Sequence, residues 1–225
     1  MSEPVAHRIR SFVLRQGRMT VAQSRALETL LPKFGCPAGP LDLPALFGRD
    51  ARRTLEIGFG NGDTLLTLAA RHPEQDFLGI EVHRPGVGRL LLHLEELKLG
   101  NVRVICEDAV QVLWEQIPDA SLDAVLIYFP DPWPKKRHHK RRLVQPEFVE
   151  LLAAKLKADG RLHLATDWED YARHAREVLA ASPSFRNLDP AGGYVPRPPE
   201  RPATRFENRG LKLGHTVYDL VYVRT

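Results

Sequence analysis

From residue 53 onward, short apolar runs alternate along the chain with segments that carry a helical hydrophobic period. Most of the apolar runs do not alternate with polar residues as a half-exposed strand does. Strands that are apolar on both faces are typical of a parallel sheet covered by helices on both sides. A final strand is predicted at residues 215–224 from the alternating Val217, Val221 and Val223. The pattern predicts an α/β fold with a doubly wound, mostly parallel sheet. The other predicted strands lie at residues 54–58, 77–81, 102–107, 123–129 and 161–166, and the predicted helices at residues 63–71, 84–99, 146–158 and 168–181.

The first 50 residues are predicted to be an N-terminal extension, partly helical or flexible, and residues 51–225 to be the main domain. Within the extension a helix is predicted at residues 20–31, and Pro32 interrupts it. The longest apolar runs are far too short to cross a bilayer, so we expect no membrane association. No apolar stretch follows Met1, so we expect no secretory signal.

Two cysteines, Cys36 and Cys106, stand 70 residues apart without a CxxC spacing. They are too few for a disulfide framework or a zinc site, so we predict no metal site. A chain with two isolated thiols suits a reducing compartment, and we expect it to be cytoplasmic.

The net formal charge of +4 is concentrated in one segment. Residues 135–142 read Lys-Lys-Arg-His-His-Lys-Arg-Arg and carry six positive charges, so the rest of the chain is net −2. A cationic segment this dense indicates a polyanionic partner, and in a cytosolic protein nucleic acid is the first candidate. A solvated charge run or a localisation signal has the same composition. The position of the segment, directly after a candidate catalytic loop, favours nucleic acid.

A glycine-rich turn, Glu56-Ile57-Gly58-Phe59-Gly60-Asn61-Gly62, follows the first predicted strand. Its glycines allow a tight turn and a close approach of the backbone to a ligand at the switch point of the sheet. The GxGxG spacing differs from the dinucleotide fingerprint, in which the third glycine would stand at Asp63. Glu56 would repel a pyrophosphate, whereas it would attract the ammonium and sulfonium charges of S-adenosylmethionine. The turn therefore favours an S-adenosylmethionine pocket that includes Glu56, Gly58 and Gly60.

Two more acids stand at the ends of the second and third predicted strands. Glu81 lies 19 residues after Gly62, where a carboxylate accepts hydrogen bonds from the hydroxyls of a ribose. Asp108 follows the third strand, in position to accept a hydrogen bond from an adenine amine. Each acid alone is a common strand-end residue. Three of them at successive strand ends favour a nucleoside cofactor.

Alternate prolines stiffen the loop after the fourth predicted strand, which reads Phe129-Pro130-Asp131-Pro132-Trp133-Pro134-Lys135. Proline fixes φ and lacks an N–H group, so this segment cannot continue a strand ladder. A rigid loop at this edge of an open α/β sheet could hold Asp131 at a reaction centre with Trp133 beside it. The alternative is a structural turn with a packed tryptophan.

Together these stretches closely resemble the tRNA (guanine-N7)-methyltransferases of bacterial type, over about residues 10–224. The proline-spaced loop with its basic continuation, residues 129–142, is the most specific match. A slight departure is Tyr128, which stands where a phenylalanine is usual. The other matching stretches are Arg10-Ser11-Phe12-Val13, Leu55-Glu56-Ile57-Gly58-Phe59-Gly60, Gly79-Ile80-Glu81-Val82-His83, Ala165-Thr166-Asp167-Trp168-Glu169 and Arg201-Pro202-x-Thr204-x-Phe206-Glu207-x-x-Gly210.

The resemblance implies a class I, Rossmann-like methyltransferase fold with a final antiparallel strand. It implies methyl transfer from S-adenosylmethionine to N7 of a tRNA guanine, with the variable loop as the expected location. Asp131 takes the catalytic position, and the implied cofactor contacts are Glu56, Gly58, Gly60, Glu81, Asp108 and Asp131. The implied guanosine-side residues are Lys135, Asp167, Thr204, Arg205, Phe206 and Glu207. The implied RNA-contacting residues are Arg137, His138, His139, Lys140, Arg141 and Arg142.

Local patterns leave second interpretations open for two of these positions. Thr204-x-x-Glu207 also fits a helix capping box, and Asp167 also fits the N-cap of the helix that follows it. Two other classes of protein remain as alternatives, a nicotinamide-dependent oxidoreductase and an RNA-binding protein without activity. The glycine spacing and Glu56 disfavour the first, and the presence of all the cofactor acids disfavours the second. We expect no obligate protein partner, and the sequence is compatible with a monomer or a homodimer.

Overall fold

The computed structural model describes residues 10–13, 17–204, 207, 210 and 214–225, and the structural statements below concern these residues. Among them, no helix is long and apolar enough to cross a membrane. The strands are β1 (Arg53–Ile57), β2 (Asp76–Ile80), β3 (Val102–Ile105), β4 (Leu122–Tyr128), β5 (Leu156–Thr166), β6 (Phe185–Asn187) and β7 (Tyr218–Arg224). The helices are α1 (Val21–Thr29), α2 (Leu31–Phe34), α3 (Leu43–Phe47), α4 (Asp63–Arg71), α5 (Arg84–Glu96), α6 (Ala109–Glu115), α7 (Pro146–Lys155) and α8 (Glu169–Ala181).

The strands form one sheet in the order β3-β2-β1-β4-β5-β7-β6. Strands β1 to β5 are parallel, whereas β7 runs antiparallel to both β5 and β6. The chain moves outward from β1 to β3 and then returns to place β4 on the other side of β1. This reversal creates a switch point between β1 and β4, where ligands bind in open α/β sheets. The predicted fold class, including the final antiparallel strand, is confirmed.

Helices cover both faces of the sheet and give it two apolar cores. One core includes Leu65 of α4 and Leu90 of α5, and the other includes Phe148 of α7 and Tyr171 of α8. Every residue of β1 is buried, as expected for a central strand with helices on both sides.

The segment before β1 packs onto the same domain. Ala26 and Phe34 are buried in the core that contains α5, and Leu43 is buried in the opposite core. Gly35 forms a parallel bridge to Val104 of β3, which extends the sheet edge. The helix predicted at residues 20–31 is divided in two, because Pro32 occupies the first turn of a new helix, α2. The domain boundary near residue 50 stays a prediction.

Several predicted boundaries are wrong. The helix predicted through residue 158 ends at Lys155, because Leu156 pairs with Leu122 at the start of β5. Helix α6 was not predicted, since its seven residues are too few to show a clear period. The short β6 was also missed, and the strand predicted from residue 215 begins at Tyr218.

Candidate active site

A cavity of about 420 Å³ lies at the carboxyl edge of the sheet, at the switch point between β1 and β4. The glycine turn, the ends of β2 and β4, and part of the N-terminal segment line it. Among the described lining residues none is a lysine or an arginine. The cavity therefore suits a ligand that carries positive charge. The carboxylates that line it belong to Glu56, Asp63, Glu81, Glu107 and Asp131.

The glycine turn presents its backbone to the cavity. Gly58 and Gly60 have φ angles of +75° and +58°, which side-chain-bearing residues rarely adopt. A Cβ added at either position would meet no atom within 4 Å, so the turn faces open space. On its other side, a Cβ at Gly86 would lie 2.0 Å from the carbonyl oxygen of Gly60. The first turn of α5 therefore packs directly against the glycine turn.

Glu56 is a buried carboxylate with an unused oxygen. It is 3% exposed, and its Oε2 atom has no hydrogen-bond partner among the described residues. Burial, together with the negative charges of Glu81 and Asp63, raises the pKa of Glu56 to about 8. An isolated buried carboxylate is costly, so this side chain fits a cationic hydrogen-bond donor held in the cavity.

Glu81 links the end of β2 to the glycine turn. Its Oε2 accepts a hydrogen bond from the Gly60 N–H at 2.8 Å, and its Oε1 accepts from Val82 and His83 at 2.7 and 2.9 Å. These bonds fix the carboxylate at the cavity wall, and each oxygen keeps further capacity to accept from a ribose hydroxyl. That ribose contact stays a prediction.

Asp108 caps α6. Its Oδ1 accepts from the N–H groups of Val110 and Gln111 at 2.8 and 3.2 Å. The cavity is lined by the neighbouring Glu107 and Ala109 and not by Asp108 itself. The adenine contact proposed for Asp108 stays a prediction, and its capping bonds do not exclude it.

The loop after β4 is strained and firmly held. Phe129 and Trp133 have φ angles of +52° and +47°, unusual values for bulky residues, and each directly precedes a proline. Asp131, between them, is exposed and lines the cavity. Strained backbone of this kind persists only where the surroundings hold it in place.

Arg142 supplies much of that support. Its Nε donates to the carbonyl oxygen of Pro132 at 3.1 Å, and a terminal nitrogen lies 2.5 Å from an Asp170 oxygen. The guanidinium also lies over the Tyr171 ring at 5.4 Å. The Arg142 side chain is 1% exposed. Arg142 was predicted to contact RNA, but in this structure its guanidinium lies inside the protein and braces the loop.

The basic run forms a 3-10 helix, Lys136–Arg141, which we call the basic helix. Its Arg141 donates to the carbonyl oxygens of Arg10 and Phe12 at 3.2 and 3.0 Å, and its guanidinium lies 4.0 Å from the Trp133 ring centre. The Trp133 indole N–H donates to the carbonyl oxygen of Ser11 at 2.9 Å. The basic helix and the cavity therefore lie at the same edge of the sheet.

The same contacts bring Ser11, Phe12 and Val13 into the cavity lining. None of these three was predicted as a site residue. The only signal in the sequence was the Arg10-Ser11-Phe12-Val13 stretch of the family resemblance.

Asp167 lies after β5, outside the cavity lining. Its Oδ2 is 3.2 Å from His215 Nδ1. The N-cap interpretation of Asp167 is wrong, because α8 begins at Glu169 with Trp168 in the N-cap position.

Lys135 is exposed at the start of the basic helix. Across the described part of the chain, no cluster of three His, Cys, Asp or Glu side chains could hold a metal ion.

The capping box at Thr204 and Glu207 is confirmed. The Glu207 N–H donates to Thr204 Oγ1 at 3.1 Å, and the Thr204 N–H donates to Glu207 Oε2 at 3.3 Å. Thr204 lines the cavity, whereas Glu207 is 2% exposed. Arg205 and Phe206, also predicted on the guanosine side, lie outside the described residues.

Comparison with known proteins agrees with this geometry. A family model described as "Putative methyltransferase" matches residues 50–220. The tRNA (guanine-N(7)-)-methyltransferase of Alkalilimnicola ehrlichii is 61% identical over 95% of this chain and 92% of its own length. The protein of the same name from Nitrosospira multiformis is 56% identical over 99% of this chain and 97% of its own. The chain belongs to the tRNA (guanine-N7)-methyltransferase family.

Solved structures show the same fold at low identity. The 16S rRNA (adenine(1408)-N(1))-methyltransferase from Catenulisporales acidiphilia, solved with cosubstrate SAM, aligns with a TM-score of 0.58 at 16% identity. That alignment covers 84% of this chain and 93% of the other. The 16S rRNA methyltransferase KamB aligns with a TM-score of 0.57 at 14% identity, over 83% and 94% of the two chains. Membership of the tRNA (guanine-N7)-methyltransferase family thus agrees with an architecture that other RNA methyltransferases share.

Proposed function

We propose that this chain transfers a methyl group from S-adenosylmethionine to N7 of a guanine in tRNA, in the cytoplasm and without an obligate protein partner. The observation that carries the proposal is the acidic cavity at the switch point, which lies beside the basic helix. An acidic lining suits a sulfonium nucleoside and disfavours the pyrophosphate of a nicotinamide dinucleotide. Family membership supports the same activity, and we place the target guanine in the variable loop.

The residues of the cavity fit S-adenosylmethionine by their chemistry. When bound, this cofactor supplies an electrophilic methyl group on a positively charged sulfur. Glu56 would accept a hydrogen bond from the cofactor's ammonium group through its unpartnered Oε2. Gly58 and Gly60 would let the backbone lie against the ligand, and Glu81 would accept from the ribose hydroxyls.

Asp131 is proposed to act on the guanine by orientation and electrostatics. N7 carries a lone pair and no proton, so methylation there requires no general base. The Asp131 carboxylate would accept hydrogen bonds from the ring and exocyclic N–H groups of the guanine and stabilise the positive charge that develops on the ring. Thr204 lines the cavity and is proposed to contact the guanosine, together with Lys135 and Asp167, which lie outside the lining.

The activity is tested by labelled-methyl transfer from S-adenosylmethionine to unmodified tRNA with the purified chain alone. Borohydride reduction and aniline cleavage then locate the modified base. We expect one cleavage site, at a variable-loop guanine. A transcript made with 7-deazaguanosine should accept no label, because it lacks the nucleophilic nitrogen. Label at any other atom, or no transfer by a chain that binds the cofactor, would contradict the proposal.

The basic helix should contribute to tRNA binding through its positive charges on the RNA phosphates. Lys136, Arg137 and Lys140 are exposed, so we expect their joint replacement by glutamine to weaken tRNA binding and its salt dependence. The slope of log K against log salt concentration should become shallower by about 2 to 3, at roughly 0.7–0.9 for each phosphate that is no longer neutralised. Filter binding across a salt series measures this slope. The matched control replaces the exposed Arg52, Arg71 and Lys98, and an equal change in that variant would refute the assignment.

A further inference from the structure

Five buried polar side chains form a continuous array between the segment at residues 201–207 and the cavity wall. Each of them is at most 8% exposed. Buried groups of this kind are weak sources of stability, because the cost of removing charges from water offsets their attraction. The array is therefore better explained by the positions in which it holds its side chains than by a contribution to stability. In order, the members are Glu207, Arg201, Asp219, His163 and Tyr128.

Arg201 is the centre of the array. Its two terminal nitrogens each donate to one oxygen of Glu207 at 2.8 Å, which makes a bidentate pair. One of them also donates to Asp219 Oδ2 at 3.2 Å, and the Nε atom lies 2.8 Å from Asp219 Oδ1. A planar guanidinium held by two carboxylates has little freedom to rotate, so it fixes the orientation of both.

His163 continues the array into the sheet. Its Nε2 lies 2.7 Å from Asp219 Oδ1, and its Nδ1 lies 3.0 Å from the Tyr128 hydroxyl. Burial raises the pKa of Tyr128 well above its ordinary value, so the phenol keeps its proton. A carboxylate oxygen can only accept, so an imidazole with its hydrogen on Nε2 donates to Asp219, and its Nδ1 accepts from the Tyr128 hydroxyl.

The array reaches the cavity lining at both of its ends, through Thr204 at one end and Tyr128 at the other. Glu207 holds Thr204, which lines the cavity, through the capping bonds. Tyr128 also lines the cavity and is the last residue of β4, three positions before Asp131. The members between them, Arg201, Asp219 and His163, are not part of the lining. They can act on a ligand only through the residues that they hold.

We propose that Arg201, with Asp219 and His163, forms a positioning device that fixes Thr204 relative to the Asp131 loop across the cavity. The inference rests on the proposed methyl transfer to tRNA. In this proposal Glu207, which is buried, does not contact the tRNA itself but orients Thr204 through their two hydrogen bonds. The Tyr128 hydroxyl ends the array at the cavity wall, where it contacts His163.

The test separates turnover on tRNA from cofactor binding. Arg201→Lys keeps the charge and removes the bidentate geometry, so we expect kcat/KM for tRNA to fall by about 10- to 100-fold. The Kd for S-adenosylmethionine should stay within about threefold, since the array contains none of the carboxylates that line the cofactor cavity. Asp219→Asn should give a similar loss, and the double variant should be no worse than either single one, because the array is already broken. Tyr128→Phe should cost about threefold or less.

Arg53→Lys is the matched control. Arg53 is also a buried arginine paired with an aspartate, but it lies at the start of β1, away from the cavity. We expect it to lower the melting temperature without changing kcat/KM for tRNA by more than about twofold. If Arg201→Lys does not fold, Asp219→Asn carries the same test. Normal tRNA turnover in both folded array variants, or an equal loss of cofactor affinity, overturns the positioning role. Absence of methyl transfer by the parent chain would instead overturn the proposed function.

Discussion

Replacing Glu56 with glutamine is expected to weaken S-adenosylmethionine binding by about 30-fold or more and to stabilise the unliganded protein above pH 8. The first effect follows because glutamine has no charge to pair with an ammonium group, and charge-assisted hydrogen bonds contribute about 1.5–3 kcal/mol. The second follows because the Glu56 carboxylate has an unpartnered oxygen in a buried, acidic setting. One substitution should therefore remove function and add stability.

The sign of the stability effect follows from the raised pKa. In the folded chain the pKa of Glu56 is about 8, compared with an ordinary value of 4.5. Between these values the folded state binds more protons than the unfolded state, so the free energy of unfolding falls as pH rises from 4.5 to 8. Glu56→Gln abolishes this loss. Its advantage should be small near pH 4.5 and grow to a few kcal/mol above pH 8, at about 1.4 kcal/mol per unit.

Thermal melts of parent and variant across pH measure this difference. Asp76→Asn is the contrasting control, because Asp76 is a buried carboxylate that pairs with Arg49 at 2.6 Å. Loss of that pair should destabilise the protein throughout the same pH series. Equal melting of parent and Glu56→Gln at pH 9 would contradict the unpaired state of Glu56.

The affinity of the parent protein for S-adenosylmethionine should also depend on the ionisation of Glu56. Below pH 8 an ammonium group must displace the proton on Glu56, so affinity should rise with pH, by up to tenfold per unit, until the ammonium group of the ligand loses its own proton. Calorimetry in two buffers of different ionisation enthalpy should show close to one proton released at pH 7 by the parent and fewer by Glu56→Gln. A pH-independent affinity with no proton release would contradict the assignment of Glu56 to the ammonium group.

The acidic part of the cavity was predictable because it follows from the topology of parallel strands. Their carboxyl ends meet at one edge, so Glu56, Glu81 and the loop of Asp131 had to lie close together once the strands were recognised. Their burial and partners could not be read from the sequence. Glu81 is fixed by three backbone N–H groups, whereas Glu56, in the same cavity, keeps an oxygen without a partner. That difference depends on side-chain placement.

The part of the cavity lined by the N-terminal segment depends on long-range contacts that no local pattern reveals. Trp133 bonds to Ser11, which lies 122 residues away in the sequence, and so brings the N-terminal segment into the cavity lining. Within the basic run, Arg142 and Arg137 are the same residue type, yet one braces the loop inside the protein and the other is exposed. Counting the positive charges in the sequence cannot distinguish the buried arginine from the exposed one. Only the packing of Asp170 and Tyr171 beside Arg142 separates structural from surface cations.

Replacing Asp131 with asparagine should lower kcat for tRNA methylation by about 100-fold, as expected when one electrostatic interaction with a developing charge is removed. Asparagine keeps the shape of the side chain and its place in the strained loop, so the melting temperature should change little. At saturating cofactor and tRNA, kcat should be flat between about pH 6.5 and 9 in both proteins, because N7 has no proton to lose. Asp119→Asn, at the opposite end of β4, is the control and should keep full activity.

The pH profile distinguishes orientation from general-base catalysis. A base that removes a proton gives a rate that rises with pH until the base is ionised, together with a solvent deuterium isotope effect. Orientation by a carboxylate predicts neither at neutral pH, since the ring nitrogen attacks the methyl group with its own lone pair. A rising limb in the parent that disappears in Asp131→Asn would therefore refute the orientation role. An unchanged kcat in Asp131→Asn would remove Asp131 from the reaction altogether, and the charge on the methylated ring would then need another partner among the acids of the cavity.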